Sequence, residues 1–206
     1  MTKPMVPSDA ELLRLMLAGE EQAFAALYGR YKGLVYRFAL LMSGQATVAE
    51  EVTQEVFLAL LRKGNRYDPE RGSLKAYLCG AARNQVLLLM EKERPYVRLV
   101  EEPDEGGAVP IAQLISDNDP LGDCARKEAN RLVRQAVLAL PGRYREVIVL
   151  CDFQELSYAE AAQALDCPVG TVNSRLHRGH ALLSKKLRAA GLDSASPDAQ
   201  VMRCFA

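Results

Sequence analysis

The side chains best suited to chemistry lie close together near the C-terminal end, within residues 169–183. They are Thr171, Asn173, Ser174, Arg175, His177 and Arg178. In a DNA major groove, arginine can bond guanine through two donors, and asparagine can bond adenine in a similar way. The apolar residues of the same segment are Val172, Leu176, Leu182 and Leu183. Helical spacing places them on another face, which predicts a helix that packs on one side and presents hydrogen-bonding groups to a groove on the other.

A second short helix must position this one. Ser157 and Glu160 have the spacing of a capping box, which marks a helix start. Pro168 breaks that helix, because proline lacks an N–H and disfavours the α conformation at the residue before it. The pair of helices predicts a helix-turn-helix for DNA binding. An ordinary helical hairpin with a solvated basic face is the alternative.

Other kinds of site find little support. His177, His180 and Cys167 lack a clear fourth ligand for a closed zinc site. The sequence holds no nucleophile elbow, phosphate loop or HExxH motif. The five cysteines are scattered without a CxxC pair, as expected of reduced thiols. We therefore predict no catalytic residues, no metal and no cofactor.

The charges are balanced in total but unevenly placed. The 206 residues carry 26 basic and 26 acidic side chains. Residues 99–124 contain acidic side chains and no Lys or Arg, whereas residues 169–190 contain basic side chains and no Asp or Glu. This asymmetry is more informative than the net charge. The N-terminal segment has no long apolar run, so we expect neither a signal peptide nor a membrane span.

The chain divides into four parts by pattern. Residues 8–95 predict four amphipathic helices, in which recurring apolar and aromatic residues form a core. Residues 96–122 are rich in Pro, Gly and acidic residues, which predicts a flexible acidic linker. Residues 123–190 predict a second helical bundle that contains the helix-turn-helix, and residues 191–206 form a tail. The expected fold is therefore all-α: two small helical bundles joined by a flexible acidic linker.

The C-terminal bundle resembles a known family. The stretch LPGRYREVIVLCDFQELSYAEAAQALDCPVGTVNSRLHRG is similar to region 4 of the extracytoplasmic-function (ECF) sigma factors of the sigma-70 family. The most specific motifs in this stretch are Val169-Gly170-Thr171-Val172 and Ser174-Arg175-Leu176. The resemblance implies that this domain binds the promoter −35 element through the six polar residues named above.

The N-terminal bundle resembles sigma region 2. The segment VAEEVTQEVFLALLR is similar to the helix that grips the clamp helices of the polymerase largest subunit, which implies polymerase contacts at Glu50, Glu51, Gln54, Glu55 and Arg62. The following loop and helix imply −10 element contacts at Arg71, Ser73, Lys75, Arg83 and Asn84. The chain departs from the family there, with Tyr77 where Trp is usual, and with Leu88 and Glu91 where Asp and Arg are common.

The resemblance implies an alternative sigma factor that is not itself an enzyme. It would bind core RNA polymerase in the cytoplasm, direct it to promoter DNA and be held inactive by an anti-sigma factor, without any small-molecule substrate. Two other readings stay open: a helix-turn-helix regulator that acts without being a polymerase subunit, and an adaptor whose basic helix binds an acidic partner. The segment that is similar to the clamp-binding helix favours the sigma factor, since a repressor has no need to bind the polymerase clamp.

Overall fold

A computed structural model describes residues 7–64, 67–70, 72–93 and 124–191. Throughout these ranges the regular structure is helical, which confirms the all-α prediction. The α-helices are α1 (Asp9–Leu17), α2 (Glu21–Ser43), α3 (Ala46–Lys63), α4 (Leu74–Glu93), α5 (Cys124–Leu138), α6 (Gly142–Ile148), α7 (Tyr158–Leu165) and α8 (Val169–Ala189). A short π-helix, Val149–Phe153, continues α6. None of these helices is long and apolar enough to cross a membrane. The predicted linker, the tail beyond Gly191 and Arg71 lie outside the described residues.

Local sequence signals set the helix ends. The Ser8 hydroxyl accepts a hydrogen bond from the Glu11 N–H at the start of α1. Gly44 ends α2 with a φ of 76°, in the left-handed region that glycine adopts without steric cost. Ser73 caps α4 by accepting from the Ala76 N–H at 3.2 Å. Each of these three ends therefore follows from a residue at the helix boundary itself.

Helices α1–α4 form the N-terminal bundle around large apolar side chains. Phe38 and Leu27 of α2 are fully buried, as are Val52 and Leu60 of α3 and Leu74 of α4. Their three- and four-residue spacing within each helix explains why the sequence pattern predicted this bundle. Burying each such side chain contributes about 1.5–3 kcal/mol.

Helices α5–α8 and the π-helix form the C-terminal bundle. Its core includes Leu140, Ile148 and Leu150, together with Leu183 and Leu187 of α8, all fully buried. Helix α8 packs mainly against α6, and α7 packs beside it. The resulting frame fixes which face of α8 points outward.

The two bundles pack against each other and share one continuous apolar core. Helix α4 contacts α7, and α2 contacts α5, α6 and the π-helix. The half-buried Arg145 joins the bundles, because its guanidinium donates to the Met42 carbonyl at the end of α2, at 2.6 Å. It also donates to the carbonyls of Leu138 and Leu140. Burial lowers the pKa of Arg145, although the nearby Glu146 opposes that effect.

Candidate nucleic-acid and protein interfaces

Helix α8 collects the predicted DNA-contacting side chains on one side. Asn173, Ser174, His177 and Arg178 are exposed, whereas Thr171 and Arg175 are half-buried. The opposite side is buried and consists of Val172, Leu176, Gly179, Leu183 and Leu187. The outer face is therefore free of core packing and open to a groove-sized ligand.

The turn between α7 and α8 holds the two helices in place. The Ser157 N–H donates to Glu160 Oε2 at 2.9 Å, and the Glu160 N–H donates to Ser157 Oγ at 3.3 Å, which completes the predicted capping box. Asp166 ends α7 with a φ of 50°, and Pro168 precedes the first residue of α8. The geometry is that of the predicted helix-turn-helix.

The two histidines of α8 have different surroundings. His177 is exposed on the outer face, but His180 is half-buried and its Nε2 lies 2.7 Å from Asp152 Oδ2 of the π-helix. His180 thus contributes to packing between α8 and the π-helix. In the part of the chain that the structure describes, no three His, Cys, Asp or Glu side chains form a possible metal site.

The predicted polymerase-contacting residues lie along α3. Glu50, Glu51, Gln54 and Arg62 are exposed, and Glu55 is half-buried. They divide into two rows: Glu50 and Gln54 border a groove between α2 and α3, whereas Glu51, Glu55 and Arg62 lie outside its lining. Two of the five predicted polymerase-contacting residues, Glu50 and Gln54, thus lie at the edge of a concave surface.

The groove itself was not predicted as a functional feature. It has a volume of about 570 Å³ and is lined mainly by apolar and aromatic side chains of α2 and α3. The Tyr28 and Phe57 rings meet edge to face with centroids 4.8 Å apart, and Lys32 lies 5.6 Å from the Tyr28 centroid. Tyr28 and Leu61 remain 38% and 42% exposed. The sequence pattern assigned the aromatic residues of α2 to the core, which is true for Tyr31 and Phe38 but not for Tyr28.

Four of the five predicted −10 contacts lie within the described residues, on α4 or at the residue that caps it. Asn84 is exposed, and Ser73, Lys75 and Arg83 are half-buried. These three residues lie on or beside the contact with the C-terminal bundle. They are therefore less accessible to DNA in this structure than the sequence pattern predicted.

Two carboxylates of the C-terminal bundle bind residues of this α4 surface. Ser73 Oγ donates to Glu160 Oε1 at 2.6 Å. Arg83 donates through Nε to Glu146 Oε1 at 2.8 Å and through Nη2 to Oε2 at 3.4 Å. The Glu146 side chain is only 7% exposed. The hydrogen bond from Ser73 is the largest cause that lowers the pKa of Glu160. One feature of the sequence indicates that Glu146 lies near the core: it immediately precedes the apolar run Val147–Leu150.

Comparison with known sequences gives consistent matches to both bundles. Residues 27–95 match the family described as Sigma-70 region 2, and residues 130–183 match Sigma-70, region 4. The chain is 33% identical over 172 residues to the ECF RNA polymerase sigma factor SigW of Bacillus subtilis, covering 82% of this chain and 91% of SigW. It is 32% identical over 161 residues to the ECF RNA polymerase sigma factor SigE of Mycolicibacterium smegmatis, covering 78% of this chain and 60% of that protein.

Solved structures show the same fold. CnrH in complex with the cytosolic domain of CnrY matches with a TM-score of 0.66 and 26% identity, over 89% of this chain and 99% of CnrH. The sigma factor RpoE in complex with the anti-sigma factor NepR from Bartonella quintana matches with a TM-score of 0.60 and 21% identity, over 80% of this chain and 96% of RpoE. The match to CnrH extends across both bundles.

Proposed function

The chain belongs to the ECF RNA polymerase sigma factors of the sigma-70 family, and we propose that it is an alternative sigma factor that directs core polymerase to specific −35/−10 promoters. In this role it is a specificity subunit and not an enzyme, because the polymerase forms the phosphodiester bonds. It requires no cofactor and no small-molecule substrate. It acts in the cytoplasm, where core polymerase and promoter DNA are found.

We assign sigma region 2 to residues 8–95 and sigma region 4 to residues 123–190, joined by residues 96–122. Region 2 contacts core polymerase and the −10 element, and region 4 contacts the −35 element. The family matches over residues 27–95 and 130–183 support this division.

One observation carries the assignment of region 4 to DNA. The outer face of α8 presents Asn173, His177 and Arg178 to solvent, while the opposite face is anchored in the core. Arginine and asparagine provide the donor patterns that read base edges, and Ser174 and Thr171 can bond to bases or to the backbone. Arg175 lies at the edge of this face. The basic end of the helix, with exposed Lys185 and Arg188, adds attraction for phosphates.

Core polymerase binds the edge of the α2–α3 groove in this proposal. Exposed Glu50, Glu51 and Gln54 suit a basic partner helix, as does the half-buried Glu55, and Arg62 suits an acidic group at its end. The apolar lining offers an anchor for a helix that lies along the groove. A helix-turn-helix regulator that acts alone has no use for this second surface.

The −10 element binds α4 and the loop before it. Arg83 and Asn84 supply guanidinium and amide donors, Ser73 a hydroxyl group, and Lys75 and Arg71 positive charge. Such groups can hold an unpaired base by its edges and the strand by its phosphates.

An inhibitory protein partner belongs to the same proposal. CnrH shares the fold of this chain and was solved in complex with the cytosolic domain of CnrY. We assign to this chain an anti-sigma factor that covers its polymerase-binding surfaces. Co-purification from unstressed cells should recover that partner, and recovery of polymerase alone contradicts this part of the proposal.

Run-off transcription tests the function directly. Purified chain and core polymerase are incubated with genomic DNA fragments, and we expect transcripts that start at discrete sites and that core polymerase alone does not make. Arg178→Ala should reduce these transcripts at least tenfold, whereas Arg188→Ala, at the exposed last turn of the same helix, should reduce them much less. DNA binding without any effect on polymerase would instead identify a regulator that acts alone.

A further inference from the structure

A second cavity lies where the two bundles meet, and no described residue lines both it and the α2–α3 groove. It has a volume of about 300 Å³. Its lining comes from α2, from Lys75 of α4, from Arg134 of α5 and from residues 153–155 at the end of the π-helix. Cavities of this size are large enough to hold a small molecule.

A buried amide borders this cavity without a hydrogen-bond partner. Gln154 is 3% exposed, and neither its Oε1 nor its Nε2 bonds to any described residue. Its backbone N–H is satisfied, because it donates to the Val149 carbonyl at 3.0 Å. Buried side-chain amides are almost always hydrogen-bonded, so this one indicates a partner that enters the cavity. An amide is both donor and acceptor, a combination that matches the edge of a nucleobase.

Positive charge lines the same cavity. Arg37, Lys75 and Arg134 face a single described carboxylate, that of Glu155. Arg134 has an interaction of its own, whereas neither Arg37 nor Lys75 forms a hydrogen bond or salt bridge with another described residue. The Lys75 charge does act electrostatically on Glu160. A phosphate monoester carries about 1.5–2 negative charges at neutral pH, which Arg37 and Lys75 together can balance.

The rest of the lining is apolar. Leu34 and Leu41 are buried, and Leu40 and Phe153 are half-buried. A free phosphate would leave this apolar wall uncovered, and a purely apolar ligand would leave the cations and the Gln154 amide without partners. The combination of charge, amide and apolar wall therefore favours a ligand that carries both a phosphate and a flat ring.

We propose that this cavity binds a nucleoside monophosphate, with its phosphate at Arg37 and Lys75 and its base beside Phe153 and Gln154. The nucleotide is a bound ligand and neither a substrate nor a cofactor. Because residues of both bundles line the cavity, the bound nucleotide stabilises the folded chain. The inference goes beyond the proposed function and does not depend on it, since it is tested on the full-length chain without polymerase or promoter DNA.

Calorimetric titration of the chain with AMP, GMP, CMP and UMP tests the binding. At least one of them should bind at least tenfold more tightly than its own nucleoside and than inorganic phosphate, because each of these supplies only part of the contacts. No binding of any of the four at millimolar concentration would overturn the proposal. Inorganic phosphate that binds as tightly as the nucleotides would overturn the assignment of the ligand as a nucleotide.

Two variants locate the ligand. Arg37→Glu reverses an exposed charge of the cavity and should weaken binding at least tenfold. Its control is Arg14→Glu, the same change at an exposed site of α1 outside the cavity lining, which should bind as the parent does. Equal losses in these two variants, or no loss in either, contradict the site.

Gln154→Leu removes the amide that lacks a partner and should also weaken binding at least tenfold. Circular dichroism shows whether this variant folds, and if it does not, Arg37→Glu decides. A folded Gln154→Leu that binds as tightly as the parent contradicts the position of the base.

Thermal unfolding gives an independent readout. The nucleotide that binds should raise the unfolding temperature of the parent and of Arg14→Glu, but not that of Arg37→Glu. A nucleotide that binds without raising the unfolding temperature of the parent does not occupy a cavity of the folded chain, which would overturn the proposal. Run-off transcription tests the proposed function separately, so either conclusion can fail without the other.

Discussion

Gly179 of α8 packs directly against Ile148 of α6. A Cβ atom on Gly179 would lie 2.9 Å from Ile148 Cδ1 and 3.5 Å from Tyr144 Cβ, so a larger residue here would force the buried Ile148 side chain to shift. From sequence alone this glycine is a cost to α8 of up to about 1 kcal/mol relative to alanine. The close contact offsets this cost, because it orients the exposed face of α8, to which the neighbouring Arg178 belongs.

Gly179→Ala should destabilise the chain by about 1–2 kcal/mol, because the overpacking penalty exceeds the gain in helix propensity. Gly170→Ala is the matched control on the same helix, since a Cβ there meets nothing within 4 Å. It should leave the stability unchanged or raise it by up to about 1 kcal/mol. Urea unfolding of both variants measures the difference, and equal effects at the two positions would contradict the packing role of Gly179.

Acid should weaken the contact between the bundles through Glu160. Its folded pKa lies below the usual 4.5, chiefly because of the Ser73 hydroxyl. A lowered carboxyl pKa contributes stability that is fully present above the unfolded pKa and is lost as the pH falls through the folded value. We expect Glu160→Gln to be less stable than the parent at pH 7 and the gap to shrink towards pH 3.

Asp166→Asn serves as the control for that titration. It removes one carboxylate from the end of the same helix, and asparagine tolerates the left-handed conformation found there. Urea midpoints measured between pH 3 and pH 7 give the comparison. A gap between Glu160→Gln and the parent that stays constant with pH would show that the lowered pKa has no part in stability.

Much of the fold could be predicted from local patterns. The apolar spacing in α2 and the Ser157–Glu160 pair indicate helices and caps because these signals act within one or two turns. The outer face of α8 follows from the same periodicity, and Asn173 and Arg178 are exposed as expected. The proposed −35 surface could therefore be located before any tertiary contact was known.

The contacts between the bundles could not be predicted in this way. Ser73 and Glu160 are 87 residues apart, and Arg83 and Glu146 are 63 apart, so no helical period relates them. The same limit applies to His180, whose partner Asp152 lies in a π-helix that the sequence pattern treats as ordinary helix. Side chains assigned to DNA by type alone can thus have partners within the protein.

Charge reversal on α3 tests the polymerase surface. Glu51 is exposed on α3 and follows the groove residue Glu50 in sequence, so Glu51→Lys should weaken binding to core polymerase at least tenfold, about 1.4 kcal/mol, through repulsion of a basic partner. Glu91→Lys makes the same charge change at an exposed site of α4 and should have little effect. Fluorescence anisotropy of labelled chain titrated with core polymerase provides the affinities. Equal affinities for parent and Glu51→Lys would remove Glu51 from the interface.

Two exposed basic residues of α8 should contribute differently to DNA binding, Arg178 by reading bases and Lys185 by attracting phosphates. Arg178 and Lys185 are both exposed and stand seven residues apart, which is about two helical turns and therefore nearly one face. A guanidinium can bond guanine through two donors, whereas an ammonium is better suited to a single phosphate. Because Arg178 lies nearer the N-terminal end of the recognition helix, it is the better placed to reach base edges.

Arg178→Ala should cost about 1–3 kcal/mol and relax base preference at one or two positions of the −35 element. Lys185→Ala should weaken binding to all sequences alike and reduce the salt dependence by about one phosphate contact. Binding of polymerase holoenzyme to a panel of −35 variants, at several salt concentrations, separates the two effects. A uniform loss of affinity in Arg178→Ala, with base preference intact, would make Arg178 a backbone contact and transfer base reading to Asn173 and His177.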